Sequence, residues 1–120
     1  MGLARVHRLR RQDFDSIYRQ GKRISGTYLR AIVLFGAPET LNPFPKIGIV
    51  ISKKVSKRAV QRNRLRRQIQ AAFQALLPRL RPGWQGILIV QNSALGCTYG
   101  QILPELEKIL NKAEVLDGHS

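Results

Sequence analysis

The sequence predicts an α+β fold, a small four-stranded sheet packed with three helices in the order αβββαβα. Three observations carry this expectation. Residues 28–35 and 84–91 are apolar, β-branched runs of strand length, and residues 46–52 alternate with a period of two. Three other stretches repeat apolar residues at helical spacing. Prolines and glycines fall between these segments rather than inside most of them. A chain of 120 residues suits one domain, 1–120, with 1–9 and 114–120 expected as flexible tails.

The first helix is expected from about Arg11 to Gly21. Phe14, Ile17 and Tyr18 share one face, Asp13 and Asp15 sit where the helix dipole favours anions, and Gly21 suits a C-terminal stop. A short extra strand at 23–25 precedes the run Tyr28–Phe35. Residues 36–45 hold three prolines and read as a loop or hairpin tip. In 46–52, Ile47, Ile49 and Ile51 fall on one face of a strand. A long helix is expected from about Lys57 to Leu77, with a stripe of Leu65, Ile69, Ala72, Phe73 and Leu76, closed by Pro78. Gly86-Ile-Leu-Ile-Val90 is continuously apolar, as in a strand buried on both faces. Thr98 and Gln101 form a capping box ahead of Ile102, Leu106, Ile109 and Leu110, and Pro104 is expected to kink that last helix or delay its start.

Charge narrows the function. The formal net charge is +14 and the pI near 11.3, which points to a polyanionic partner, nucleic acid first and an anionic membrane second. The excess is confined to residues 1–81, where 19 basic residues face Asp13, Asp15 and Glu39; residues 82–120 carry a net of −2. It is densest from Lys53 to Arg67, a stretch without one acid. Like-charge blocks usually mark solvated tails, but this one lies between a strand and a helix. Arginine outnumbers lysine, and guanidinium groups bind phosphate bidentately and stack on bases.

Catalytic chemistry is poorly supplied. The two histidines, His7 and His119, lie near opposite ends, and the seven acids are scattered, with the closest pairs spaced i, i+2. Cys97 is alone, which excludes a disulfide framework and fits packing better than nucleophilic attack. No phosphate-cradling glycine motif occurs, no apolar stretch reaches 18 residues, and the basic N-terminus has no apolar core of a signal peptide. A soluble, cytoplasmic protein is expected, with no metal held by the protein and no membrane partner.

The segment Ile51-Ser-Lys-Lys-Val-Ser-Lys-Arg-Ala-Val-Gln-Arg-Asn-Arg-Leu-Arg-Arg67 resembles the protein component of bacterial ribonuclease P. Ser52-Lys53-Lys54 and Arg62-Asn63-Arg64 match the family's strand end and basic helix, and the match extends to Arg8-Leu9-Arg10, Asp13-Phe14, Gly21 and Thr98-Tyr99. The resemblance implies a protein subunit that assists a catalytic RNA in removing the 5′ leader from precursor tRNA. It implies Mg²⁺ bound mainly by that RNA, no obligate protein partner, and a left-handed β-α-β crossover around the basic helix. It assigns RNA contact to Lys53, Lys54, Arg58, Arg62, Asn63, Arg64, Arg66 and Arg67, and leader contact to Phe14, Tyr18 and Arg66. Two departures stand out. Gln70 replaces a basic residue of some relatives, and Pro104 falls in a helix that is usually continuous. A ribosomal RNA-binding protein and a free-standing nuclease are the alternatives. Composition does not separate the first from the family reading, and the missing histidine and carboxylate constellation disfavours the second.

Overall fold

The computed structural model describes residues 7–36 and 44–116. The elements are α1 (Arg11–Gln20), β1 (Lys22–Ser25), β2 (Leu29–Phe35), β3 (Lys46–Val50), α2 (Ala59–Leu76), β4 (Trp84–Val90) and α3 (Tyr99–Lys112). The expected order of three helices and four strands is the observed one, with element ends shifted by one or two residues. The strands lie in the order β1-β2-β4-β3; β1, β2 and β4 are antiparallel neighbours, while β3 runs parallel to β4. Two parallel neighbours require a crossover, and α2 supplies it.

Alternation divides the sheet into two faces. Ile24, Leu29, Ala31, Val33, Ile47, Leu88 and Val90 join α2 and α3 in the larger core, which includes Phe73 and Trp84. Ile32 and Ile87 face the other way and pack with Ile17 of α1, flanked by Leu9, Phe14, Leu34, Val50 and Ile89. Strand β4 is therefore buried on both faces, as its unbroken apolar run predicts.

Several expectations need correction. Residues 7–9 are not a free arm, since Arg8 bridges Ile47 and the Leu9 N–H bonds the Ile47 carbonyl at 3.3 Å. They cover the outer edge of β3, whose backbone groups would otherwise lack partners. The C-terminal segment is likewise anchored: Val115 and Leu116 are buried, and Leu116 bridges Leu80. Residues 1–6 and 117–120 of the expected tails, with His119, lie outside the described residues. Strand β3 ends at Val50 rather than Ser52, because Val55 turns back into the core and draws 51–57 into a turn. Gly21 ends α1 with φ −73°, not in the left-handed region. It is glycine for space, as a Cβ there would lie 2.5 Å from Ile32 Cγ2 and 2.6 Å from the Ile17 carbonyl oxygen. Pro104 lies inside α3 without delaying its start. The bond its ring forfeits is to the Gly100 carbonyl, in an exposed turn that water can reach.

The sharpest long-range polar contact involves Glu105. Its Oε1 accepts the Thr27 N–H at 2.8 Å, and its Oε2 accepts those of Tyr28 at 2.6 Å and Leu29 at 2.7 Å. One carboxylate of α3 thus satisfies the backbone where the β1–β2 connection enters the sheet. Glu105→Ala is expected to destabilise the fold by about 3 kcal/mol, and Glu105→Gln, which retains one acceptor oxygen, by about half as much. Urea unfolding measures both; midpoints equal to wild type would exclude the clamp.

Candidate nucleic-acid interface

The basic segment is built on a turn that faces outward. Ser52 Oγ accepts the Lys54 N–H at 3.2 Å and the Ser52 carbonyl accepts the Val55 N–H at 3.1 Å. With Val55 buried, Lys53, Lys54 and Lys57 are left exposed. Ser56 Oγ accepts the Arg58 N–H at 3.1 Å and bonds the Gln61 side chain, organising the start of α2. The first turn of α2 contains no acid, so its positive end adds to Lys57 and Arg58.

Along α2, a rotation of about 100° per residue separates the arginines into three directions. Arg62 and Arg66, one turn apart, are half-buried and held by backbone: Arg62 Nη1 donates to the Ser56 carbonyl at 2.8 Å, and Arg66 Nη1 to the Ile49 carbonyl at 2.9 Å. Asn63 and Arg67 point outward and are exposed. Arg64 is exposed on the opposite flank, beside Leu95 and Gly96. The eight residues assigned to RNA contact are thus contiguous but do not form one plane.

Arg66 also lines a cavity of about 420 Å³ between α1, β3 and α2, opposite Phe14 and Leu9, with Gln70 beside it. Gly48 forms its floor. A Cβ at that position would overlap the Phe14 ring, and the Leu9 Cδ1 would lie 3.1 Å away. Tyr18, one helical turn from Phe14, is 38% exposed. A second basic site lies beyond Tyr18: Arg23 Nη2 donates to the Tyr18 carbonyl at 2.9 Å, and Arg23 and Arg30 line a separate, smaller cavity over Ile32 and Ile89.

The structure brings together Phe14 and Arg66, and sets Tyr18 on the same helix edge. It adds Arg8, Leu9, Arg23, Arg30 and Gly48, to which the sequence reading gave no place in a site. Arg30 could have been found, since it interrupts the apolar run 29–33 at a position that alternation assigns to the α1 side. Gly48 carries no local signal, because its role depends on a ring 34 positions away.

No group of three His, Cys, Asp or Glu residues able to hold a metal occurs among the described residues. His7 is half-buried, its Nδ1 2.8 Å from the Pro45 carbonyl and its ring edge-on to Phe44 and Phe73. Burial pushes the Cys97 thiol pKa up, with the Glu105 charge adding to it, so the thiolate is disfavoured. Among the described residues, no helix is long and apolar enough to cross a membrane.

Residues 3–114 match the profile of the Ribonuclease P family. This chain belongs to the ribonuclease P protein family. It is 48% identical to the ribonuclease P protein component of Microcystis aeruginosa, over 99% of this chain and all of that one. It is 47% identical to that of a Picosynechococcus species, over the same shares of each chain. The structure of the Staphylococcus aureus RNase P protein matches with a TM-score of 0.80 at 26% identity, covering 92% of this chain and 98% of that one. The Thermotoga maritima RNase P protein shares the fold, with a TM-score of 0.77 at 22% identity over 88% and 96% of the two chains. As a ribonuclease P protein, the chain is a subunit of the ribonucleoprotein endonuclease that matures tRNA 5′ ends.

The contact between Gly48 and Phe14 defines the wall of the groove. Gly48→Ala is expected to cost about 1–3 kcal/mol by overpacking and to displace the Phe14 ring. In a double-mutant cycle with Phe14→Ala, read by urea unfolding, the two losses should be less than additive; full additivity would show that the residues do not constrain each other.

Proposed function

We propose that this subunit meets RNA on two adjoining surfaces. Lys53, Lys54, Arg58, Arg62, Asn63, Arg64, Arg66 and Arg67 dock the catalytic RNA subunit. The groove under α1 takes the single-stranded 5′ leader of precursor tRNA, with Phe14 and Tyr18 offering aromatic surface and Arg66 a guanidinium. The observation that carries this reading is the groove itself, with an aromatic wall on one side and an arginine oriented by the Ile49 carbonyl on the other. Single strands are held by that combination of base stacking and backbone charge, with little dependence on sequence. Gln70, neutral where the groove meets α2, leaves Arg66 to supply the charge at that point.

The donor set supports a division of chemistry. Protein side chains contribute cations and aromatic surface, while the RNA holds the Mg²⁺ ions and cleaves the phosphodiester. By taking over part of the phosphate neutralisation the protein lowers repulsion between catalytic RNA and substrate, which raises affinity for substrate and lowers the Mg²⁺ concentration at which the complex works. No obligate protein partner is required, and the place of action is the cytoplasm.

Tyr18→Ala tests the leader assignment. Stacking of one base is worth about 1–3 kcal/mol, so affinity of the reconstituted holoenzyme for leader-bearing precursor should fall by about tenfold. Affinity for mature tRNA should be unchanged. Equal losses for both ligands would remove the leader from this groove.

A further inference from the structure

The sheet face turned towards α1 carries a second cationic pair, outside the groove, and strand register sets it. Arg23 of β1 stands opposite Ile32, and Arg30 of β2 stands between Ser25 of β1 and Ile89 of β4. Ile32 belongs to the cluster under α1, with Ile89 packed beside it. Arg23, Ser25 and Arg30 therefore project from that same face. Arg23 and Arg30 are diagonal neighbours on adjoining strands, within reach of each other for long side chains. With Ser25, Ile32 and Ile89 they line one cavity of about 90 Å³.

The fold makes little use of these charges. Both arginines are exposed, and among the described residues neither forms a salt bridge. Arg23 gives one donor to the Tyr18 carbonyl, which fixes its direction. The Arg30 guanidinium has no hydrogen-bond partner among the described residues. Two diagonal cations without an acid between them repel, and the floor of Ile32 and Ile89 screens that repulsion less than open water does. An anion held between them relieves it. Guanidinium groups match phosphate oxygens bidentately, and the Ser25 hydroxyl adds one more donor. No aromatic ring lines the cavity, so it offers phosphate recognition without base stacking.

We propose that Arg23 and Arg30 form a phosphate clamp for the 5′ leader, an inference that rests on the leader reading above. Strand β4 separates β2 from β3, so Arg30 starts about 10 Å from the strand to which Arg66 is tied through the Ile49 carbonyl. The clamp and Arg66 therefore hold different phosphates of one strand. Between them the register sets Ile89 beside Val50, both half-buried and apolar, with no acid to repel the chain. The catalytic RNA docks on the α2 side, so the clamp meets leader nucleotides farther from the cleavage site than those in the groove.

The test is the affinity of the reconstituted holoenzyme for precursor tRNAs with leaders of two and ten nucleotides. Arg30→Gln is the variant of choice, because that side chain has no partner in the fold to lose; an unchanged urea midpoint would show that it is folded. It should weaken binding of the ten-nucleotide leader about tenfold and of the two-nucleotide leader less than about twofold. For the longer leader it should also flatten the slope of log affinity against log salt by about 0.7. Lys112→Gln removes an exposed cation from α3, which packs on the opposite face of the sheet, and should change neither affinity. Equal losses for the two leaders on Arg30→Gln, or the same loss on Lys112→Gln, would overturn the clamp. A loss on Tyr18→Ala with none on Arg30→Gln would overturn the clamp and keep the leader in the groove. Leader-independent affinity of the unaltered protein would remove groove and clamp together.

Discussion

Strand β4 must be covered on both faces, and most of the architecture follows from that. Ile87 and Leu88 are adjacent, point in opposite directions, and are both almost fully buried. Leu88 lies under α2 and α3, the larger cover. Ile87 is covered by α1, through Ile17, with Leu9 packed beside the cluster. A helix of ten residues is about 15 Å long, whereas a seven-residue strand such as β4 spans about 23 Å. The shorter helix cannot close that face. The uncovered remainder includes the groove between Phe14 and Arg66 and a separate, smaller cavity beside Arg23 and Arg30. The groove is what remains when one face of a sheet is only partly covered.

The second constraint is electrostatic. Lys53 to Arg67 holds eight cations and no acid, so the repulsion within it is not offset locally. The fold limits this by dispersal. Lys53, Lys54 and Lys57 are thrust out by the burial of Val55, and the helical arginines diverge around α2. Arg62 and Arg66 give one donor each to the Ser56 and Ile49 carbonyls. A guanidinium has five N–H donors, so most of its hydrogen-bonding capacity is left for a ligand, now with the group's direction fixed. Such partly spent arginines suit phosphate recognition better than freely rotating lysines, because less rotamer freedom is lost on binding.

Elements with local causes were legible in the sequence. The stripe Leu65, Ile69, Ala72, Phe73 and Leu76 is the buried face of α2, and Thr98 with Gln101 starts α3, the Gln101 Oε1 accepting the Thr98 N–H at 3.0 Å. The double burial of β4 could be read from Gly86-Ile-Leu-Ile-Val90. Features set by distant partners could not. Leu9 is ordered by the edge of β3, Leu116 by Leu80, and Gly48 by Phe14. Of the interface, the chain shows which residues are cationic, and the helical period separates Arg62 from Asn63 and Arg64. The same period puts Asn63 and Arg67 opposite the apolar stripe and Arg64 and Arg66 on its two flanks, and the structure places them so. Pro104 does not delay the start of α3 for a related reason: its forfeited bond matters little where the Gly100 carbonyl is open to water.

We propose that the protein supplies binding while its RNA partner supplies the chemistry. The decisive experiment is cleavage of precursor tRNA at limiting Mg²⁺ by the cognate catalytic RNA, with and without this protein, beside the protein alone. Strong stimulation by the protein is expected, with a reduction of that stimulation as Mg²⁺ rises, and no cleavage without the RNA. Absence of stimulation at low Mg²⁺, or robust cleavage by RNA-free protein, would contradict it.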